Sequence, residues 1–127
     1  MSKVTGQKDD TEVRVTNAVT GASKGSKSRR YDLIPKQAVG EVAEVYHHGS
    51  IKYANHNWRK GYDWGLSYAA LERHLEDFWD RGEDLDPESG LPHMAHAAWH
   101  CLALLTFMRE HPEMDDRFTT LRREGKI

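Results

Sequence analysis

The run Leu91–Glu110 constrains the fold more than any other segment, because it has helical length and is apolar on almost every side. Met94, Ala98, Cys101, Leu105 and Met108 recur along one side at helical spacing, while Ala95, Leu102 and Leu104 carry apolar surface around the rest. A helix of this kind is stable at the centre of a bundle or between copies of the chain. Ser89 stands where it can cap the start of the helix, and Pro112 closes it. The apolar stretch is interrupted by His100 and is too short to cross a bilayer.

Two more helices are expected before it and a short one after it. The first runs from about Pro35 to Ala54, with Pro35 suited to the first turn and Ala38, Val42, Val45 and Gly49 at helical spacing. A polar and aromatic loop follows over Asn55–Gly61. The second helix begins near Leu66 or Ser67 and ends about Asp80, with Leu71, Leu75 and Phe78 as its apolar stripe, Trp79 beside them and Gly82 as its stop. Glu83–Gly90 reads as an acidic, turn-rich loop, and Met114–Arg123 as a short fourth helix. No strand pattern of comparable strength is read.

The expected fold is therefore an all-α bundle over residues 29–127. Residues 1–28 are polar with scattered valines and are expected to form a flexible or loosely packed arm. A bundle of about 100 residues gains from burying a face against a second copy, so completion by oligomerisation is expected. The formal net charge of −2 gives no support to broad nucleic-acid binding. Lys24–Arg30 is basic, but one such tract beside a polar tail is ordinarily solvated. The single cysteine, Cys101, has no internal disulfide partner and reads as a buried, inert thiol. No secretory pattern is read, and a cytoplasmic location is expected.

The chemistry lies in two polar rows and the loops beside them. Glu41 and Glu44 share one face of the first helix, and His48 and Lys52 continue the same arc. Two carboxylates so placed repel each other unless solvent or a cation compensates, and magnesium commonly bridges carboxylates to substrate phosphates. A solvated helix face is the plain alternative. His93, His96 and His100 form the second row, whose neighbours are apolar, so they face another helix, a ligand or a partner chain. Packing histidines and a zinc site are both open readings. Asp86 and Glu88, linked by Pro87, can complete a metal site or hold His93 and His96 in one tautomer. Lys52, Arg59, Lys60, Arg73 and His74 can offset polyphosphate charge, Tyr53 and Trp58 offer stacking surfaces, and Asn55 or Asn57 can read a purine edge.

Taken in order, Asp32-Leu-Ile-Pro-Lys36, Lys52-Tyr53, Asn57-Trp-Arg-Lys60, Arg73-His74, and Gly82–His93 with His96 resemble the dATP/dGTP diphosphohydrolase domain, the MazZ-type branch of the MazG-like all-helical nucleotide pyrophosphohydrolases common in bacteriophages. The resemblance covers about Arg30 to Met108. It implies a homodimer or homotetramer, a Mg2+ or Mn2+ cofactor, and hydrolysis of dGTP or dATP to monophosphate and pyrophosphate, in the host cytoplasm if the chain is phage-encoded. Glu41 and Glu44 would match the family's Glu-x-x-Glu metal motif. Where the wider superfamily carries Glu-x-x-Asp, this chain has His93-x-x-His96, so the remaining ligands are those histidines or Asp86 and Glu88. The resemblance implies catalytic roles for Glu41, Glu44, Lys52, Arg73, His93 and His96, and substrate contacts from Lys36, Tyr53, Asn57, Trp58, Arg59, Lys60 and His74.

Two other classes remain open. A non-catalytic helical dimer would bind through Lys24–Arg30 and need no metal. A phosphohydrolase built on histidine-bound zinc or iron would release phosphate or intact triphosphate.

Overall fold

The computed structural model describes residues 12–127, and it divides into two units, Met1–Pro35 and Lys36–Ile127. In the first unit, strands β1 (Val13–Thr16) and β2 (Ser23–Ser26) form an antiparallel hairpin in which Val13 pairs with Ser26 and Thr16 with Ser23. Asn17 makes the turn, its side-chain oxygen accepting from the N–H groups of Val19 and Thr20 at 2.9 Å each. This hairpin lies in the stretch expected to be a flexible or loosely packed arm. Its strands are four residues long, and Val13 and Val15 stay exposed, so the alternation carries little burial to announce it.

The second unit is helical: α1 (Lys36–Lys52), α2 (Trp64–Trp79), α3 (His93–Glu110) and α4 (Phe118–Arg123). A 3-10 turn at Asn57–Lys60 joins the first two, and Gly61 ends it at φ 93°, a conformation that disfavours any side chain. A Cβ there would also meet the His111 ring. His111 in turn bonds through Nε2 to the Arg59 carbonyl at 2.8 Å, fastening this loop to the far end of α3.

Helix α3 packs against both α1 and α2, which barely touch one another, so α3 is the floor of a groove. The inward lines differ from the expected stripes. On α2 the inward positions are Trp64, Ser67, Leu71, His74 and Phe78, whereas Leu75 is more than one-third exposed and Trp79 lies open to solvent. On α3 the buried residues include His93, Ala97, Ala103 and Phe107, while Met94, Cys101 and Leu105 face solvent. A helix apolar all round cannot choose its face by pattern. The choice falls to shape and polar partners, and small Ala97 and Ala103 admit neighbouring helices while the histidines meet polar groups across the groove. Cys101 is accordingly exposed, not a buried thiol. Ser89 does not cap α3 either, since Pro92 holds that position and the serine hydroxyl is used elsewhere.

Candidate active site

Two features lie along the α3 floor. At its N-terminal end is a cluster of imidazoles and carboxylates, and farther along is an aromatic cavity.

The cluster depends on the loop before α3. A bridge between Leu85 and Pro92 folds 84–93 back on itself, with the Asp86 N–H on the Leu91 carbonyl at 2.8 Å and the His93 N–H on the Asp84 carbonyl at 3.0 Å. Gly90 makes the reversal at φ 72°. The fold-back turns Asp86 inward and leaves Glu88 outside. Asp86 Oδ2 accepts from the Ser89 hydroxyl at 2.9 Å and the Ser89 N–H at 3.1 Å. The Ser89 oxygen then accepts from the Leu91 N–H at 3.1 Å and lies 2.7 Å from His96 Nε2. Because the serine proton goes to Asp86, His96 is the donor in that last bond.

His93 is fully buried. Its Nε2 lies 2.7 Å from Glu83 Oε1 and its Nδ1 lies 2.8 Å from Nδ1 of His74. An ionised Glu83 only accepts, so His93 carries its proton on Nε2 and the His74 Nδ1–H donates to it. His74 also stacks on His96, 4.6 Å between ring centres and 5° from parallel, and His48 of α1 meets His96 edge-on at 6.4 Å. His74, Asp86 and His93 offer three ligand atoms within 4.8 Å of one another, and Asp77, Glu83 and His93 form a second such group.

Burial first, then the neighbouring His96 and His93, hold His74 below the ordinary imidazole range. Burial likewise lowers His96, although Asp86 pulls it upward. His100 is pushed to about 4, by burial and then by His74 and His96. Burial opposes ionisation of Asp86, but the Ser89 hydrogen bonds and the two imidazoles outweigh it and leave the carboxyl below its usual range.

A prediction about stability follows from the histidines. Their folded values lie below the unfolded value near 6.5, so between about pH 4 and 6.5 the unfolded chain binds more protons. Their contribution is complete above that window and is lost as pH falls through it. The thermal midpoint should therefore drop between pH 6.5 and 4, and His100→Gln should flatten part of that slope.

The cavity, about 710 Å³, is lined by aromatic rings including Tyr46, Tyr53, Trp58, Tyr62 and Trp99, with Asn55, His56, Asn57 and Ser50 at its polar edge. Trp58 and Trp99 meet at 5.7 Å and 66°, and Tyr62 stands edge-on to Phe107 at 4.9 Å. His100 belongs to both features, lining the cavity and stacking on His74 at 6.0 Å.

The structure gathers His74, Asp86, His93 and His96 in the cluster, and Tyr53, Asn57 and Trp58 at the cavity. Lys52 and Glu88 pair with each other at 2.9 Å on the exposed side of the same loop. Arg59 covers the Trp58 ring at 5.1 Å. Lys36, Lys60 and Arg73 are exposed. Glu41 and Glu44 are also exposed, two turns and one turn before His48 respectively, and join neither three-ligand group. Ser67, Tyr62 and Trp99 carry no motif. Of these, Ser67 alone gave a signal, a serine at a helical position in register with Leu71 and His74.

Comparison with known proteins gives the chain a family. Residues 18–117 match the family described as dATP/dGTP diphosphohydrolase, N-terminal. The chain belongs to that family. A dATP/dGTP diphosphohydrolase of Salmonella phage PMBT28 is 31% identical over 99 residues, which is 78% of this chain and 33% of the phage protein. The matched part thus spans one-third of that relative's length. No solved structure matches significantly. Among the described residues no helix is long and apolar enough to cross a membrane. The family match runs from Ala18 through Arg117 and so takes in the cavity and the cluster together.

Proposed function

We propose that this chain hydrolyses purine deoxynucleoside triphosphates, dGTP or dATP, to the monophosphate and pyrophosphate with the help of a divalent metal, in the cytoplasm. The observation that carries this reading is the continuity of an aromatic cavity with a histidine–carboxylate cluster through His100, in a member of a family named for that reaction.

The donor set fits a metal. Two ligands about 2.1 Å from one ion at right angles stand about 3 Å apart, and the facing His74 and His93 nitrogens are 2.8 Å apart. Two imidazoles and a carboxylate suit Mn2+ better than Mg2+, which prefers an all-oxygen shell. Glu41 and Glu44 are a carboxylate pair of the kind Mg2+ accepts when phosphates and water supply the other oxygens. A bound ion would lend positive charge to the phosphate oxygens.

The chain's own groups do the rest. Trp58, Trp99 and Tyr53 offer the base apolar ring surface in the cavity, and Asn57 reads its edge. Lys52 pairs with solvent-exposed Glu88 and lies over the Tyr53 ring at the cavity, so it is able to turn toward phosphate, as are the exposed Arg73, Lys36, Arg59 and Lys60. Water adds to the α-phosphorus as the bond to the β-phosphate oxygen breaks, and His96, held by Ser89, orders that side of the site. Exposed Leu66, Tyr68, Met94, Leu102 and Leu105 are apolar surface that a homodimer or homotetramer would cover.

The histidine-rich cluster also favours one rival, a phosphohydrolase releasing phosphate or triphosphate. Product analysis over a panel of deoxynucleoside triphosphates, with Mn2+, Mg2+ or chelator, separates the two. Monophosphate and pyrophosphate from purines alone, lost with chelator, are expected. Release of triphosphate, or cleavage indifferent to chelator, would reject the reading.

A further inference from the structure

Inside the cavity wall is a hydrogen-bonded chain that the reaction scheme leaves unused. Ser67 is 1% exposed, and its hydroxyl lies 2.6 Å from Tyr62 Oη and 3.0 Å from His100 Nδ1. Both outer members line the cavity. His100 Nε2 has no partner among the described residues, yet no buried side-chain nitrogen or oxygen there lacks one, so Nε2 is open to solvent at the cavity wall.

A serine hydroxyl has one proton, which leaves the chain two self-consistent orders. In the first, Tyr62 donates to Ser67, Ser67 donates to His100 Nδ1, and the cavity meets an Nε2–H donor and a tyrosine oxygen that accepts. In the second, His100 Nδ1–H donates to Ser67 and Ser67 donates to Tyr62. The cavity then meets an Nε2 lone pair and a tyrosine O–H donor. Passing between them moves the serine proton to Nδ1 and the tyrosine proton to the serine. Tyr62 takes a proton from cavity water and Nε2 gives one up, so the net charge is unchanged. Every buried bond is kept in both orders.

A 6-oxopurine offers an acceptor at position 6 and an N–H donor at position 1, and a 6-aminopurine offers the reverse. We propose that the Tyr62–Ser67–His100 chain is the specificity element that admits both purines to one pocket, inverting its donor and acceptor as a unit to match either edge. This rests on the purine reading above and adds how that pocket accepts two opposite hydrogen-bonding patterns.

The decisive measurement is nitrogen NMR of histidine-labelled protein bound to the α,β-methylene analogues of dGTP and dATP with Mg2+, with His100 assigned by its absence in His100→Gln. Opposite His100 tautomers in the two complexes are expected, and the same tautomer in both overturns the proposal. Tyr62→Phe gives a kinetic readout. Without that hydroxyl the second order leaves the buried serine proton unbonded, whereas the first loses only a donor to an oxygen. The ratio of kcat/KM for dATP to that for dGTP should change by at least about fivefold. A fall in dATP cleavage places His100 opposite position 6, and a fall in dGTP cleavage places it opposite position 1. An unchanged ratio in a folded variant overturns the proposal. Wild-type protein that binds neither analogue would instead overturn the purine reading, and the chain's role with it.

Discussion

Asp86→Asn should lower turnover of purine deoxynucleoside triphosphates by about a hundredfold or more while the helices stay folded. Asparagine keeps the shape of the side chain, and its carbonyl oxygen still accepts from the Ser89 hydroxyl and N–H, so the fold-back of 84–93 survives. What disappears is the negative charge beside the stacked His74 and His96 rings. That charge would hold an ion in the proposed seat, and the Ser89 bonds and the two imidazoles favour it against the burial that opposes it. Steady-state kinetics over a manganese titration checks this, with circular dichroism as the control for folding. A curve displaced to higher metal is the expected form of the defect. Activity within about fivefold of wild type and an unmoved metal dependence would remove Asp86 from the site. The same titration ranks the carboxylates of α1. Glu44 is one turn from His48, which meets His96, and Glu41 is two turns away. Glu44→Gln should therefore cost more than Glu41→Gln.

The contrast between Asp86 and Glu88 shows where sequence reading stops. Pro87 joins them, and the pair reads as one metal-binding unit, but the bridge between Leu85 and Pro92 turns one carboxylate in and the other out. That geometry depends on backbone bonds closed across the loop, which no side-chain spacing reveals. Helix positions were legible because periodicity follows from local geometry, and α1, α2 and α3 begin and end within a few residues of expectation. Burial on α3 was not, since its whole circumference is apolar and the inward face is selected by what α1 and α2 present. The histidine row pointed inward as a polar row in apolar surroundings does. Its partners His74 and Glu83 come from different elements and meet only in the folded chain. Ser67 lies at the far end of that scale, an ordinary residue whose importance is entirely in its two neighbours.

His93→Ala tests the centre of the cluster, and the expected loss of stability is about 2–4 kcal/mol. The side chain is fully buried, so alanine leaves a void the packed helices fill only in part. Glu83 is nearly half exposed and will regain water, which keeps its share of the cost small. His74 is more enclosed and loses the acceptor for its Nδ1 proton. A second loss is metal-dependent. An ion that binds only the folded chain raises stability with the logarithm of its concentration, and the variant should no longer respond. Urea unfolding with and without Mn2+ resolves both parts. His93→Gln, which fills more of the void, should recover some of the metal-free stability and none of the manganese response. A full manganese response in His93→Gln would take His93 out of the ion's seat. An alanine variant as stable as wild type without metal would mean that the buried imidazole contributes no net packing, and the cluster would then be held together by its ligand.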